Sequence, residues 1–543
     1  MIVELIRDKR KIVDRITREQ IDEFVGLLQK SQNYRFLDLL HVLCVCDSVA
    51  IPNNQSYIVK KWLQTEQGRG IFLTARGQDI NRQPNILYIT TDSGATWRAL
   101  HQFVDPSDEE YDKDQHDFFI HQLDLYKALC FGRNDYTINM LTKELRYLTW
   151  EETFLSLRST ILPDAIRAKY CDLTTCMFVD TGNNYSVLDH PNICFIYEYV
   201  GSKDEEKSQG DFVVKELVAI FPVLRDWIAD FLDQNKCMFA CDIGHNMLIE
   251  QVVRLLYHLV KFGYYLDAED VKNLLPPLLN LLDGRHDFPY PREKDKEKKE
   301  KDYTKEQKKL VTKYQTSERW DKSPETEAIV NAKYQVLEVL DLLLTYQRNS
   351  RLQSFVSKFK AAEESGGQRN VQESMLRDSF NPHDQSKKAL SLQRKINKEL
   401  RDMFNQSALF DMDFLTKVLV DLSMYKYNKM ITKSLNILNK LYSSKTNMFK
   451  LSTKAQILLT QDSSRVHREV LKNMPILRRL ARTKLDDQQV KLMCSILDDL
   501  AEFCHLPMTP DEPHPMNQNI MISNDKRLYD MESDSSLKRY LDI

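Results

Sequence analysis

Glycine is scarce, with 14 in 543 residues, too few for the turns of a many-stranded sheet or for loops that cradle phosphate. The closest approach to such a loop, Gly68-Arg69-Gly70 in TEQGRGIF, lacks a third glycine and a strong strand before it. Long apolar runs are missing too: no stretch reaches the roughly 18 uninterrupted apolar residues that a membrane-spanning helix needs. The opening MIVELIRDKRKIVDRI is charged every few residues. It has neither the apolar core of a signal peptide nor an acid-poor transit composition. Neither sign of charge prevails: 76 basic and 79 acidic side chains leave a net charge of -3, so no global field favours nucleic acid or an anionic membrane. G-x-S-x-G, H-E-x-x-H and a cysteine-nucleophile signature are all absent, so the chain reads as no enzyme and no cofactor is expected. The ten cysteines are spread thinly, most within apolar stretches. There a thiol behaves as a small hydrophobe, which excludes a disulfide-stapled scaffold and suggests a reducing compartment.

What is present is helical texture. Length and a 42% hydrophobic content imply about two to four domains rather than one core. In LIEQVVRLLYHLVKF, residues Leu248, Val252, Leu255, Leu256, Leu259 and Phe262 share one side of a helix that Gly263 is placed to end. Ile431, Leu435, Leu438 and Leu441 repeat the pattern, and 335–346 and 414–422 are apolar enough to be covered on both faces. Helix pairs of this kind imply a mainly α fold, an armadillo/HEAT-like α-solenoid with degenerate repeats of roughly 40 residues. One segment departs from it: NILYITTDSGATWRAL, 85–100, alternates and then turns at Asp92-Ser93-Gly94, which predicts a small β-hairpin insertion. The organisation expected is a helical domain over 1–290, a charged linker over 291–325 and a helical segment over 326–360. A flexible linker over 361–388, a helical repeat domain over 389–506 and a flexible tail over 507–543 follow. Residues 292–313 hold ten Lys/Arg and six Asp/Glu; with signs alternating and aromatics sparse they read as a solvated linker, not a nucleic-acid site.

Cys44-x-Cys46, in RFLDLLHVLCVCDSVAIPNNQ, does not have the C-x-x-C spacing of zinc ribbons, and on a helix the two thiols would point about 200° apart. They read as packing at a helix end, with Pro52-Asn53-Asn54 turning the chain toward the next helix. Cys171 and Cys176 read as core. Cys237, Cys241 and His245 recur every four residues, with His258 further on. On one continuous helix the outer two would lie about 12 Å apart, too far for a single tetrahedral ion unless the chain bends at Gly244. This is the candidate metal site; its alternative is two buried thiols and a solvent-tipped histidine. Asp108, Glu109 and Glu110 could attract calcium, but their spacing is not that of an EF-hand, and solvation is the alternative.

Several segments in order resemble the cytosolic homology region of intracellular calcium-release channels, the inositol trisphosphate and ryanodine receptor superfamily. Arg35 to Asp38, Leu43, Cys44, Pro52 and Gln55 carry the first part. Phe119, Gln122, Leu123, Cys130, Arg133 and Asn134 carry the second, and Leu162, Pro163, Arg167, Ala168, Cys171, Val179 and Asp180 the third. The pieces VVRLLYHLVKFGYY, YQVLEVLDLLLTYQRNSRL and LTKVLVDLSMYKYNKMITKSLNILNKLYSS follow in the same order, so the resemblance runs over about 30 to 460. The layout of the 85–100 hairpin, an acidic linker and the HQLDLY helix is similar to the inositol trisphosphate receptor branch. The resemblance implies an armadillo-like scaffold between amino-terminal ligand-binding domains and a carboxy-terminal pore, on the cytosolic face of the endoplasmic reticulum. Its partners would be other domains of the same channel, neighbouring subunits of a tetramer and regulatory proteins. The chain has no β-trefoil with a basic cluster, no pore helices and no carboxy-terminal Cys/His element, so no ligand-binding or pore residue carries over. The expectation is a fragment or truncated relative acting as a regulatory coupling scaffold; a free-standing cytosolic armadillo-type protein-binding adaptor is the alternative.

Overall fold

Side chains that close the first turn set where many of the helices begin. Thr17 accepts from the Gln20 backbone N–H while the Gln20 side chain returns to Thr17; Thr149 with Glu152 and Asp486 with Gln489 repeat this reciprocal box. Asn33, Asp112 and Asn134 cap three more helices, and Pro52, which needs no donor, sits in the first turn of another.

The computed structural model describes residues 2–64, 70–181, 195–197, 220–262, 265, 268–284, 287, 322–364, 398, 412–452, 455–457, 461–481, 485–506 and 509–513. The chain is mainly helical, with small sheets, as its composition implied. It divides into two compact units, one of 1–185, 214–340 and 418–434, the other of 186–213, 341–417 and 435–543. Of the linkers expected at 291–325 and 361–388, residues 291–321 and 365–388 lie outside the described residues, while 324–325 and 361–364 are helical.

The first unit opens with α1 (Ile2–Ile6), α2 (Arg10–Val13), α3 (Arg18–Lys30) and α4 (Tyr34–Cys44). A hairpin of β1 (Val45–Cys46) and β2 (Val49–Ala50) then leads into α5 (Pro52–Trp62). The turn falls on Asp47 and Ser48, both at positive φ (50° and 60°), the two-residue geometry that matches strand twist. Pro52 therefore starts a helix, and the turn expected at Pro52-Asn53-Asn54 lies five residues earlier. Sequence β3 (Leu73–Arg76), β4 (Leu87–Thr90) and β5 (Arg98–Ala99) forms an antiparallel sheet in that order. The expected hairpin is thus two strands of three. Its loop is gathered on Asp92, which accepts from Thr90 Oγ1 (2.7 Å), the Thr96 amide (2.8 Å) and Thr96 Oγ1 (2.5 Å).

Next come α6 (Leu100–Phe103), α7 (Lys113–Cys130), α8 (Asp135–Asn139), α9 (Trp150–Arg158) and α10 (Asp164–Thr174). Leu37, Leu40, Leu43 and Cys44 of α4 and Phe118, Leu125, Leu129 and Cys130 of α7 share one buried core with Trp62 and Leu173. Phe72 reaches the Phe118 ring at 4.9 Å and meets Phe103 edge-on at 6.2 Å. α11 (Ile220–Gln234), α12 (Ile243–Lys261) and α13 (Ala268–Leu281) follow. The stripe of α12 is the expected one, with Leu248, Val252, Leu255, Leu256 and Leu259 fully buried.

Three helices run from one unit's residues into the other's: α14 (Pro324–Glu364), α15 (Met412–Leu422) and α16 (Asn428–Tyr442). In α14 the expected two-sided burial holds at Val336, Leu337, Val339, Leu340 and Leu343. In α15 it does not: Leu415, Leu419 and Leu422 form one buried stripe, while Phe414 and Val420 are about half exposed. In α16 the buried stripe is Met430, Ser434, Ile437 and Leu441, and Leu435 is exposed, so the helix is turned by one residue from the stripe expected. The second unit also holds α17 (Ser444–Ser452), a parallel pair of β6 (Phe195–Tyr197) and β7 (Ala455–Ile457), the helices α18 (Gln461–Leu480) and α19 (Asp487–Phe503), and an antiparallel pair of β8 (His505–Leu506) and β9 (Thr509–Pro513). Val466, Val470 and Met474 of α18 share a small core with Ile496 and Leu500 of α19.

Candidate functional site

The polar residues singled out by the resemblance meet inside the first unit. Gln55, on α5, is fully buried. Its Nε2 donates to the carbonyls of Ala128 (2.7 Å) and Phe131 (2.9 Å), at the end of α7 where helix carbonyls have no partner of their own. Its Oε1 accepts from Asn134 Nδ2 (3.0 Å), and Asn134 Oδ1 caps α8 through the Thr137 amide (3.3 Å). One glutamine and one asparagine therefore join α5, the end of α7 and the start of α8. Asn54 Nδ2 adds a bond to the Leu43 carbonyl (3.0 Å), near the end of α4.

The turn between α7 and α8 places Gly132 and Arg133 at φ 77° and 64°. A Cβ on Gly132 would lie 2.5 Å from that of Ala50, so glycine is required both for the conformation and for the approach of β2. Arg133 donates from Nε to Asp180 Oδ1 (2.7 Å) and lies over the Phe262 ring at 5.3 Å. Asp180 is aimed there by a widened π turn, Thr175–Val179, that ends α10. Burial would raise the Asp180 carboxyl, but Arg133, His258 and Lys261 outweigh it and hold it below the usual range. His258, on α12, is 4.0 Å from Asp180; its Nδ1 has no hydrogen bond, and burial pushes the imidazole down to about 4. Gln122 pairs with both main-chain groups of Phe72, accepting at 2.9 Å and donating at 2.8 Å. It ties α7 to the strand that precedes β4.

A second buried cluster lies in the same unit and had no place in the sequence reading. Lys333 of α14 and Asp287, beyond α13, are both fully buried and 2.6 Å apart. Lys333 Nζ also donates to the Asp283 carbonyl (3.0 Å) and the Leu282 carbonyl (3.3 Å), and the Tyr425 hydroxyl donates to the same Asp287 oxygen. The available signal was a single lysine at a position flanked by Ile329, Val330, Ala332, Val336 and Leu337. Periodicity cannot separate such a lysine from a surface one.

The cysteines divide. Cys44, Cys46, Cys130, Cys171 and Cys176 are buried, and desolvation holds the Cys44, Cys130, Cys171 and Cys176 thiols far above their ordinary range. Cys44 ends α4 and Cys46 pairs in the hairpin that follows. Cys237 and Cys241 are exposed rather than buried and precede α12, which starts at Ile243. The continuous helix that would have aligned them with His245 is absent. His245 Nδ1 lies 2.7 Å from Asp164 Oδ2, a carboxylate that also accepts from Arg167. Among the described residues no three His, Cys, Asp or Glu side chains are grouped to hold a metal ion. Of the acidic trio at 108–110, Asp108 pairs with Arg98 at 2.5 Å. No described helix is long and apolar enough to cross a membrane.

The geometry is that of interlocked helix joints with their polar capacity turned inward. Comparison with known proteins bears on the first of the motifs that led to these joints. Residues 1–76 match the RIH domain shared by ryanodine and inositol trisphosphate receptors. Over that segment the chain is similar to the inositol trisphosphate and ryanodine receptor superfamily. A relative, the inositol 1,4,5-trisphosphate receptor-like protein A of Dictyostelium discoideum, is 21% identical over 201 residues, 36% of this chain. The match spans 6% of that relative's own length. Gln55 falls within the RIH match, and the residues it joins, in α7 and α8, lie beyond it.

Proposed function

We propose that the chain is a regulatory scaffold segment of an intracellular calcium-release channel of the inositol trisphosphate receptor type. The RIH match over residues 1–76 carries the reading; the receptor-like relative supports the branch. The buried joints supply a physical means. Helices tied by Gln55, Asn134 and the Arg133–Asp180 pair move together, so displacement of one is passed to the next rather than absorbed in loose side chains. In this reading the helices stack as an armadillo-like solenoid on the cytosolic face of the endoplasmic reticulum. Their partners are other domains of the channel, neighbouring subunits and regulatory proteins, and the segment carries out no catalytic step of its own.

The test is stored-calcium release in permeabilised cells of the source organism after disruption of the gene. Loss of the release evoked by inositol trisphosphate, restored by the intact gene and impaired by one carrying Gln55→Leu, supports the reading. Unchanged release overturns it in favour of a free-standing adaptor.

A further inference from the structure

Helix α19, Asp487–Phe503, carries two apolar stripes. Ile496, Leu500 and Phe503 face the core shared with α18. Val490, Cys494, Leu497 and Ala501 form the second, spaced by four, three and four residues. Val490 and Leu497 are each 44% exposed, and Cys494 and Ala501 are exposed as well. That spacing is the one by which a helix presents a seam to another helix. On a 3.6-residue wheel it lies about 120° from the inward stripe, so packing on α18 does not use it. Asp487, Asp498 and Glu502 run along its outer flank. Over the whole helix four acidic side chains, these and Asp499, face one base, Lys491. A second copy of α19 laid on this seam would set carboxylates beside carboxylates, and an anionic lipid surface would be repelled in the same way.

We propose that this face of α19 docks a cationic amphipathic helix of a partner protein, one with an aliphatic seam and a Lys/Arg row along one flank. The seam supplies affinity by burying Val490, Cys494, Leu497 and Ala501, and the acidic row selects the partner's charge and fixes its register.

Cys494 reports occupancy. In the full chain carrying Cys237→Ser and Cys241→Ser, maleimide alkylation of Cys494 is followed by mass spectrometry of its peptide. The probe is a helical peptide of about three heptads with Leu at the seam positions and Lys at the flanks. Peptides with Glu in place of Lys, or with the same residues scrambled, serve as controls. The Lys peptide slows alkylation about tenfold at saturation, and the protection weakens as salt is raised. Leu497→Asp abolishes it. Asp498→Lys with Glu502→Lys, changes at exposed positions whose folding is checked by circular dichroism, weakens it and removes its salt dependence. Absence of protection, or equal protection by either control peptide, overturns the proposal. So does protection that grows with protein concentration without peptide, which would assign the face to a second copy of the chain.

Discussion

Gln55, on α5, gathers three hydrogen-bonding groups from the end of α7 and the start of α8 around one side chain. In Gln55→Leu the shape is nearly kept, but the Ala128 and Phe131 carbonyls lose their donor and one Asn134 Nδ2 bond is lost. Stranding buried polar groups costs about 1–3 kcal/mol each, and partial relaxation limits the sum to about 2–4 kcal/mol. Urea unfolding should show the loss as a lowered midpoint with an unchanged slope. Glu152 gives a second residue-scale test. It closes the Thr149 box while buried, and desolvation raises its carboxyl to about 7. The folded chain therefore holds its proton where the unfolded chain releases it. Stability is unaffected below about pH 4.5, falls as pH rises toward 7, and is lower by about 3 kcal/mol above that. Glu152→Gln keeps an acceptor for the Thr149 amide, so it should match the parent at pH 4 and melt higher at pH 8. An equal shift at both pH values would contradict the assignment. His258 works in the opposite sense: its depressed value of about 4 contributes stability above pH 6.5 that is lost as pH falls through 4.

Elements are joined by such residues, and the buried Lys333–Asp287–Tyr425 cluster joins the end of α13, α14 and the turn after α15. Lys333→Met leaves a buried carboxylate with only the tyrosine hydroxyl and should cost about 3–5 kcal/mol. Adding Asp287→Leu removes the uncompensated charge and should restore most of it, a coupling that a double-mutant cycle in urea measures. Additive losses would show that the two groups do not act as a pair. The sequence made the elements legible where hydrophobic periodicity was strong and unambiguous. The stripe of α12 and the strands at 87–90 and 98–99 are of that kind. It was misleading at α16 because Ser434, a polar residue, is fully buried there while Leu435 is exposed. A small side chain allows a close helix approach that a hydropathy pattern cannot register. It was silent about β3, whose Leu73-Thr74-Ala75-Arg76 is too short to alternate convincingly, and about the partners of Gln55 and Arg133, which are fixed by tertiary packing across more than 40 residues.

At the scale of the whole molecule, the proposed function rests on an ordered set of motifs. No one of them is diagnostic, and their meaning came from resemblance. The physical reading alone reached a helical scaffold and stopped there, because joints turned inward leave no chemistry on display. The first unit gathers its residues from 1–185, 214–340 and 418–434, so the division at about 290 suggested by the charged run can be tested by cutting there. A fragment of 1–290 retains the core around α4, α7 and α10 but loses Lys333 and Tyr425, leaving Asp287 with neither its cation nor its hydroxyl donor. Fully buried Ile329, Val336 and Leu340 leave with them. The fragment 1–434 keeps all of these. We expect 1–434 to unfold in one cooperative step and 1–290 to melt lower, with amide exchange accelerated first in α13, where the missing contacts were made. If 1–290 is as stable and as protected in α13 as the longer fragment, its helices form a self-sufficient domain and α14 is an added layer rather than part of one core.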